Sequence, residues 1–212
     1  QISKNIFINE ISTLDSIAQD AFAACCIQLN FPLTCTGRNM AFTKKAFNEA
    51  NGYEKISNIL SGDDDLLLHK INNLTSYRSI FCLNQRAVVE SDAPKSIISF
   101  IKQRMRWASK SILYYSLDSS IELKIMLPFL YIVNAVCVIT LFQFIYSPKF
   151  LLLLPLIIKS IADIFIIKRF LLNFNYKFSF IYFFIASLFH PIYICFFGII
   201  SPFSKNFQKW KG

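Results

Sequence analysis

Two short stretches of the chain hold residue types suited to chemistry. The first is Ser61-Gly62-Asp63-Asp64-Asp65, three adjacent carboxylates behind a glycine. A carboxylate within hydrogen-bond reach of a hydroxyl acts as a general base. Two carboxylates one residue apart, such as Asp63 and Asp65, hold Mg2+ or Mn2+ against a phosphate. The same cluster also fits the first turn of a helix, where carboxylates meet free backbone N–H groups. The second stretch is Phe100 to Trp107, Phe-Ile-Lys-Gln-Arg-Met-Arg-Trp. Arginine is a permanently charged planar fork that matches phosphate. Tryptophan is a flat platform on which a sugar ring stacks. A pocket for a phosphorylated sugar uses both. A basic helix at a membrane surface, with Trp107 as interfacial anchor, uses them too.

These stretches need elements to carry them. Leu14, Ile17, Ala18, Ala21 and Phe22 repeat at helical spacing and predict a helix over 11–29, with Asp15 and Asp20 off the apolar stripe. Pro32 closes it. Residues 31–43 read as extended around Gly37, residues 44–50 as a short helix, and Asn51-Gly52 as a turn. Residues 77–82 and 87–89 read as short strands. Residues 96–115 predict one long amphipathic helix near the bilayer surface. On it Gln103, Arg106 and Trp107 fall at i, i+3 and i+4 and so share one face. His69, on the helix opened by the aspartates, reads as a partly exposed residue.

Composition divides the chain near residue 120. Residues 1–120 carry 13 basic and 11 acidic side chains, and residues 121–212 carry 9 and 2. Uncharged runs over 125–146 and 178–200 are long enough to span a bilayer. Residues 150–167 predict a third span, or an interfacial helix, because Lys159 and Asp163 at i, i+4 can pair within it. Basic residues flanking apolar runs suit anionic lipid headgroups. Nucleic-acid binding needs basic residues spread over a polar face, a pattern this chain lacks. The six cysteines form no Cys-x-x-Cys pair and suggest neither a disulfide framework nor a zinc site. With three spans, Lys168, Arg169 and Lys177 face the same side as residues 1–120. Lys205, Lys209 and Lys211 then fall on the other, and the side of the tail stays open.

The motifs also stand in a telling order. Thr36-Gly37-Arg38-Asn39-Met40-Ala41-Phe42 is followed by Asn51-Gly52-Tyr53-Glu54, by Ser61-Gly62-Asp63-Asp64-Asp65, by Gln103-x-x-Arg106-Trp107, and by the apolar runs. Over residues 34–200 this series resembles the membrane-bound family 2 glycosyltransferases, the group of cellulose, chitin and hyaluronan synthases and ceramide glucosyltransferase. The resemblance implies an α/β fold: residues 1–120 as the C-terminal part of a GT-A nucleotide-sugar transferase domain, followed by an all-α transmembrane region over 121–212. It implies transfer of a hexosyl or N-acetylhexosaminyl group, with inversion, from a nucleotide-sugar donor to an acceptor hydroxyl on a lipid, a glycan or another molecule.

By the same resemblance Asp64 is the general base, Asp63 its supporting neighbour and Asp65 a cap. Gln103, Arg104, Arg106 and Trp107 lie beside the donor diphosphate and the acceptor, and Gly37, Arg38 and Asn39 line the acceptor side. Mg2+ or Mn2+ is implied, with ligands mostly in an upstream, donor-binding half that this sequence does not include; Asp63 and Asp65 are the alternative pair. The chain by itself is then expected not to turn over. The implied location is the plasma membrane, with the catalytic part facing the cytosol. Two rivals remain: a membrane transport or assembly subunit whose polar half binds a partner, and a hydrolase of activated sugars.

Overall fold

The structure is a computed structural model and describes residues 6–57, 62–109, 113–116 and 119–200. The α-helices are α1 (Ile6–Gln28), α2 (Lys44–Glu49), α3 (Asp63–Leu74), α4 (Ile97–Ala108), α5 (Leu113–Ser116), α6 (Ile121–Tyr146), α7 (Leu154–Leu171) and α8 (Phe180–Ile200). Of the described residues 71% are helical, and none lies in a strand. The expected α/β domain is therefore corrected to a helical one.

The reason lies in where the extended segments send their hydrogen bonds. Thr36, Met40 and Asn84 do have extended backbone angles. A strand, however, needs a neighbouring strand to pair its N–H and C=O groups. Here one-turn 3-10 helices at Gly37–Asn39 and Gln85–Ala87 interrupt both segments. Among the described residues the segments meet through a side chain, with Asn39 Nδ2 donating to the Ala87 carbonyl at 2.5 Å. The Cys35 and Gly37 amides donate to carboxylates of α3 instead.

The amphipathic helix also differs in extent. α4 opens with a capping box between Ser96 and Ser99 and stops at Ala108. α5 follows as a separate turn, and residues 110–112 between them lie outside the described set.

Three helices are long and apolar enough to cross a membrane: Ile121–Tyr146, Phe150–Leu171 and Phe180–Ile200. They fit an integral membrane protein. Ile125, Phe129, Ile132, Ile139 and Phe142 of α6 are exposed, a surface suited to lipid rather than water. On α7, Lys159 and Asp163 form the ion pair their spacing allows. Asn175, in the α7–α8 connection, reaches Gln85 of the polar half at 3.5 Å. That contact places this connection beside the polar half. The basic tail, with Lys205, Lys209 and Lys211, lies outside the described residues.

The polar half and the spans share their cores. Leu14 of α1 packs with Ile167 and Leu171 of α7 and Phe183 of α8. Cys26 of α1, Leu33, Leu66 of α3, Tyr114 of α5 and Leu123 of α6 form a second cluster. A third joins Ala46 and Ala50 to Leu67 and Ile71, fixing α2 on α3. The turn after α2 takes positive φ at Asn51, Gly52 and Lys55. Buried Lys70 holds that turn: its ammonium donates to the carbonyls of Asn51 (3.2 Å), Gly52 (2.6 Å) and Glu54 (2.8 Å). Lys70→Met keeps the stem but strands these carbonyls. It is expected to cost about 2 kcal/mol, read as a lower unfolding midpoint in detergent.

Candidate functional site

The site is built around the start of α3. Gly62 takes a left-handed φ of 93° and turns the chain into the helix. The three aspartates then occupy its first turn, as their capping role predicts. Their environments differ sharply. Asp63 is exposed, Asp64 half-buried and Asp65 buried.

Asp65 accepts from the Thr34 hydroxyl and the Cys35 amide, both at 2.8 Å, and from the Tyr114 hydroxyl at 3.0 Å. Burial, then the charge of Asp65 and the hydrogen bond to it, push the Tyr114 phenol well above its usual range, so it stays a donor. Asp65 is thus an internal fastener between the 34–36 segment, α3 and α5. Its carboxylate is buried and both oxygens accept hydrogen bonds, whereas Asp63 is exposed. Among the described residues no group of three His, Cys, Asp or Glu side chains is placed to hold one.

Asp64 faces outward. Oδ2 accepts the Gly37 amide at 2.7 Å, and Oδ1 accepts the Asp65 amide at 2.9 Å. Each oxygen keeps a further lone pair for a ligand. A Cβ at Gly37 would stand 3.2 Å from Asp64 Oδ2, so the carboxylate would have to give way by a few tenths of an ångström. Arg38 donates to Thr36 (3.1 Å), to Ser91 (3.1 Å) and, more weakly, to Ser16 of α1 (3.5 Å). Burial raises the nearby Asp20 carboxyl above its ordinary range, and Arg38 offsets part of that shift.

On α4 the four expected residues divide. Arg104 is buried and pairs with Asp15 of α1. It also donates to Gln103 Oε1 at 3.2 Å, and its guanidinium lies 4.3 Å from the Trp107 ring centre and 4.5 Å from that of Phe100. A phosphate would have to displace Asp15 to bind it. Gln103, Arg106 and Trp107 are half-buried. Arg106 has no ion-pair partner among the described residues and is, like Arg38 and Arg78 of the same cleft, a cation open to an anionic ligand.

One open cleft of about 3100 Å3 unites the two stretches. Gly37, Arg38, Asn39, Asp63, Asp64, Asp65, Gln103, Arg104, Arg106 and Trp107 all line it. Its other wall is, in part, Leu123, Met126, Leu127, Leu130 and Tyr131 of α6 with Tyr193, Ile194 and Phe197 of α8. Comparison of the chain with family models, with curated proteins and with solved structures finds no match.

The residues that sequence reasoning missed are those that hold the site. Asp15, read only as lying off the apolar stripe of its helix, has a side chain that is 10% exposed and ion-paired. Tyr193 of α8 shares that carboxylate at 2.7 Å. His69, expected to be partly exposed, is 1% exposed and contacts the Leu33 carbonyl at 3.1 Å. A tyrosine or histidine inside an apolar helix signals a buried partner, but the partner itself is far away in sequence.

The Asp65–Tyr114 contact has a pH signature. The folded state holds the phenolic proton more tightly than the unfolded chain. Its contribution is therefore complete below a pH of about 10 and fades as pH rises beyond. Tyr114→Phe is expected to lose about 1–2 kcal/mol at neutral pH. Its difference from the parent shrinks on the alkaline side, as read by thermal unfolding across that range.

Proposed function

We propose that the protein takes part in glycosyl transfer at the membrane, moving a sugar from a nucleotide-sugar to an acceptor hydroxyl. The observation that carries this reading is that Asp64 and the Gln103–Arg106–Trp107 face of α4 line the same cleft. The ordered motif series from Gly37 to Trp107 supports it.

The chemistry follows from the groups in place. An acceptor hydroxyl donates to a lone pair of Asp64, which takes its proton as the oxygen attacks the anomeric carbon. The bond from that carbon to the nucleoside diphosphate breaks, and the diphosphate leaves with the electron pair. Arg106 meets the negative charge that grows there. A single displacement inverts the anomeric centre. Trp107 offers a ring face to a sugar or to the acceptor. The cleft wall formed by α6 and α8 is largely aliphatic and aromatic, which favours an acceptor that carries an apolar tail. On this reading the polar half faces the cytosol, where nucleotide-sugars are held.

Replacing Asp64 with Asn keeps the shape and removes the base. Transfer from labelled nucleotide-sugars into the lipid or polymer fraction of membranes should fall by about 10²–10⁴-fold, with insertion and unfolding midpoint little changed. Retained transfer would remove Asp64 from the mechanism and leave the partner-binding subunit as the better reading. Gly37→Ala presses on the Asp64 carboxylate. It should lower kcat more than it raises the donor KM, measured in the same assay.

A further inference from the structure

The contacts around Asp15 run in an unbroken series from the last span to the site face. Tyr193 of α8 donates to Asp15 Oδ1 at 2.7 Å. Asp15 Oδ2 accepts from Gln19 at 3.0 Å and takes the ion pair from Arg104. The two charged side chains are only 10% and 5% exposed. Arg104 in turn touches Trp107 over its ring and Gln103 through Oε1. Its Nε is buried and has no hydrogen-bond partner. The guanidinium therefore does not sit where its own donors are best satisfied; it sits where Asp15 draws it.

We propose that Asp15 is the positioning residue for the α4 site face, acting through Arg104 and itself braced by Tyr193 of α8. The inference rests on the glycosyl-transfer reading for what that face binds, but not for the positioning itself. Arg104 covers one face of Trp107 and restrains the side chain of Gln103. Without the Asp15 carboxylate a buried cation has no counter-charge and moves towards water. Trp107 then loses the group packed against it. The face left open to a ligand is set by a carboxylate on α1, a helix that carries none of the motifs. Tyr193 fixes the same carboxylate from the membrane side, so the register of α8 against α1 enters the geometry of the site.

The test uses the intact protein in detergent micelles or nanodiscs, in a Trp210→Phe background that leaves Trp107 as its sole tryptophan. Iodide quenching of Trp107 fluorescence and transfer from UDP-glucose and UDP-N-acetylglucosamine are read side by side. Asp15→Asn should make Trp107 more accessible to iodide and lower kcat/KM by roughly tenfold to a hundredfold. Asp15→Glu should restore part of both, and Tyr193→Phe should give a smaller change in the same direction. The double variant Asp15→Ala/Arg104→Met leaves no buried charge. Its unfolding midpoint should recover while Trp107 stays exposed and transfer stays low. Recovery of quenching and transfer together with the midpoint would show a merely structural pair and overturn the proposal. Unchanged quenching in Asp15→Asn would overturn it as well, whatever transfer does. Absence of transfer when the upstream donor-binding half implied by the resemblance is also supplied counts against the proposed function, and the quenching comparison still decides the role of Asp15.

Discussion

Two carboxylates at the start of α3 take over the role that a neighbouring strand plays in a sheet. The Cys35 amide, in irregular chain, and the Gly37 amide, at the start of the 3-10 turn, need acceptors. Asp65 and Asp64 supply them, at 2.8 and 2.7 Å. Adjacent side chains on a helix point in different directions. Asp65 therefore turns inward to Thr34 and Tyr114, while Asp64 turns to the cleft. One buried carboxylate fastens the segment, and the next, held by the same segment, stays available. Without that division there would be no ordered Gly37–Asn39 wall and no carboxylate held towards the cleft.

The second constraint is charge burial next to the spans. Asp15 and Arg104 lie 89 positions apart and meet with little exposure. A buried ion pair contributes modestly to stability but is costly to break on one side. It therefore acts as a locator more than as a source of stability. α1 is central to this arrangement. It packs Leu14 against α7 and α8, places Asp15 between Arg104 and Tyr193, and ends with Cys26 in the cluster beside Leu66 and Leu123. The polar half and the spans are joined through it.

Local features were legible in the sequence because their causes are local. The Asn51-Gly52 turn, the aspartates in the first turn of α3, the shared face of Gln103, Arg106 and Trp107, and the three apolar helices follow from periodicity, capping and glycine chemistry. The strands were not borne out. Apolar, β-prone residues at 77–82 and 87–89 announce an extended chain, but a ladder needs a partner, and the described chain places none beside them. The buried polar network was illegible for a related reason. Helical spacing set Asp15 off the apolar stripe of its own helix but says nothing of what packs there. Only the tertiary arrangement brings Arg104 to Asp15, or the three carbonyls of the 51–54 turn to Lys70.

The shared cleft between Asp64 and the α4 face is the point on which the functional reading turns. An experimental structure of the intact protein in a lipid nanodisc, with a nucleoside-diphosphate sugar and a hydroxyl acceptor bound, measures it directly. The expected result has the acceptor oxygen about 3 Å from the Asp64 carboxylate, the diphosphate beside Arg106, and a ring against the face of Trp107 that Arg104 leaves open. Density for both ligands away from Asp64, or an acceptor separated from Trp107 by protein, would contradict it.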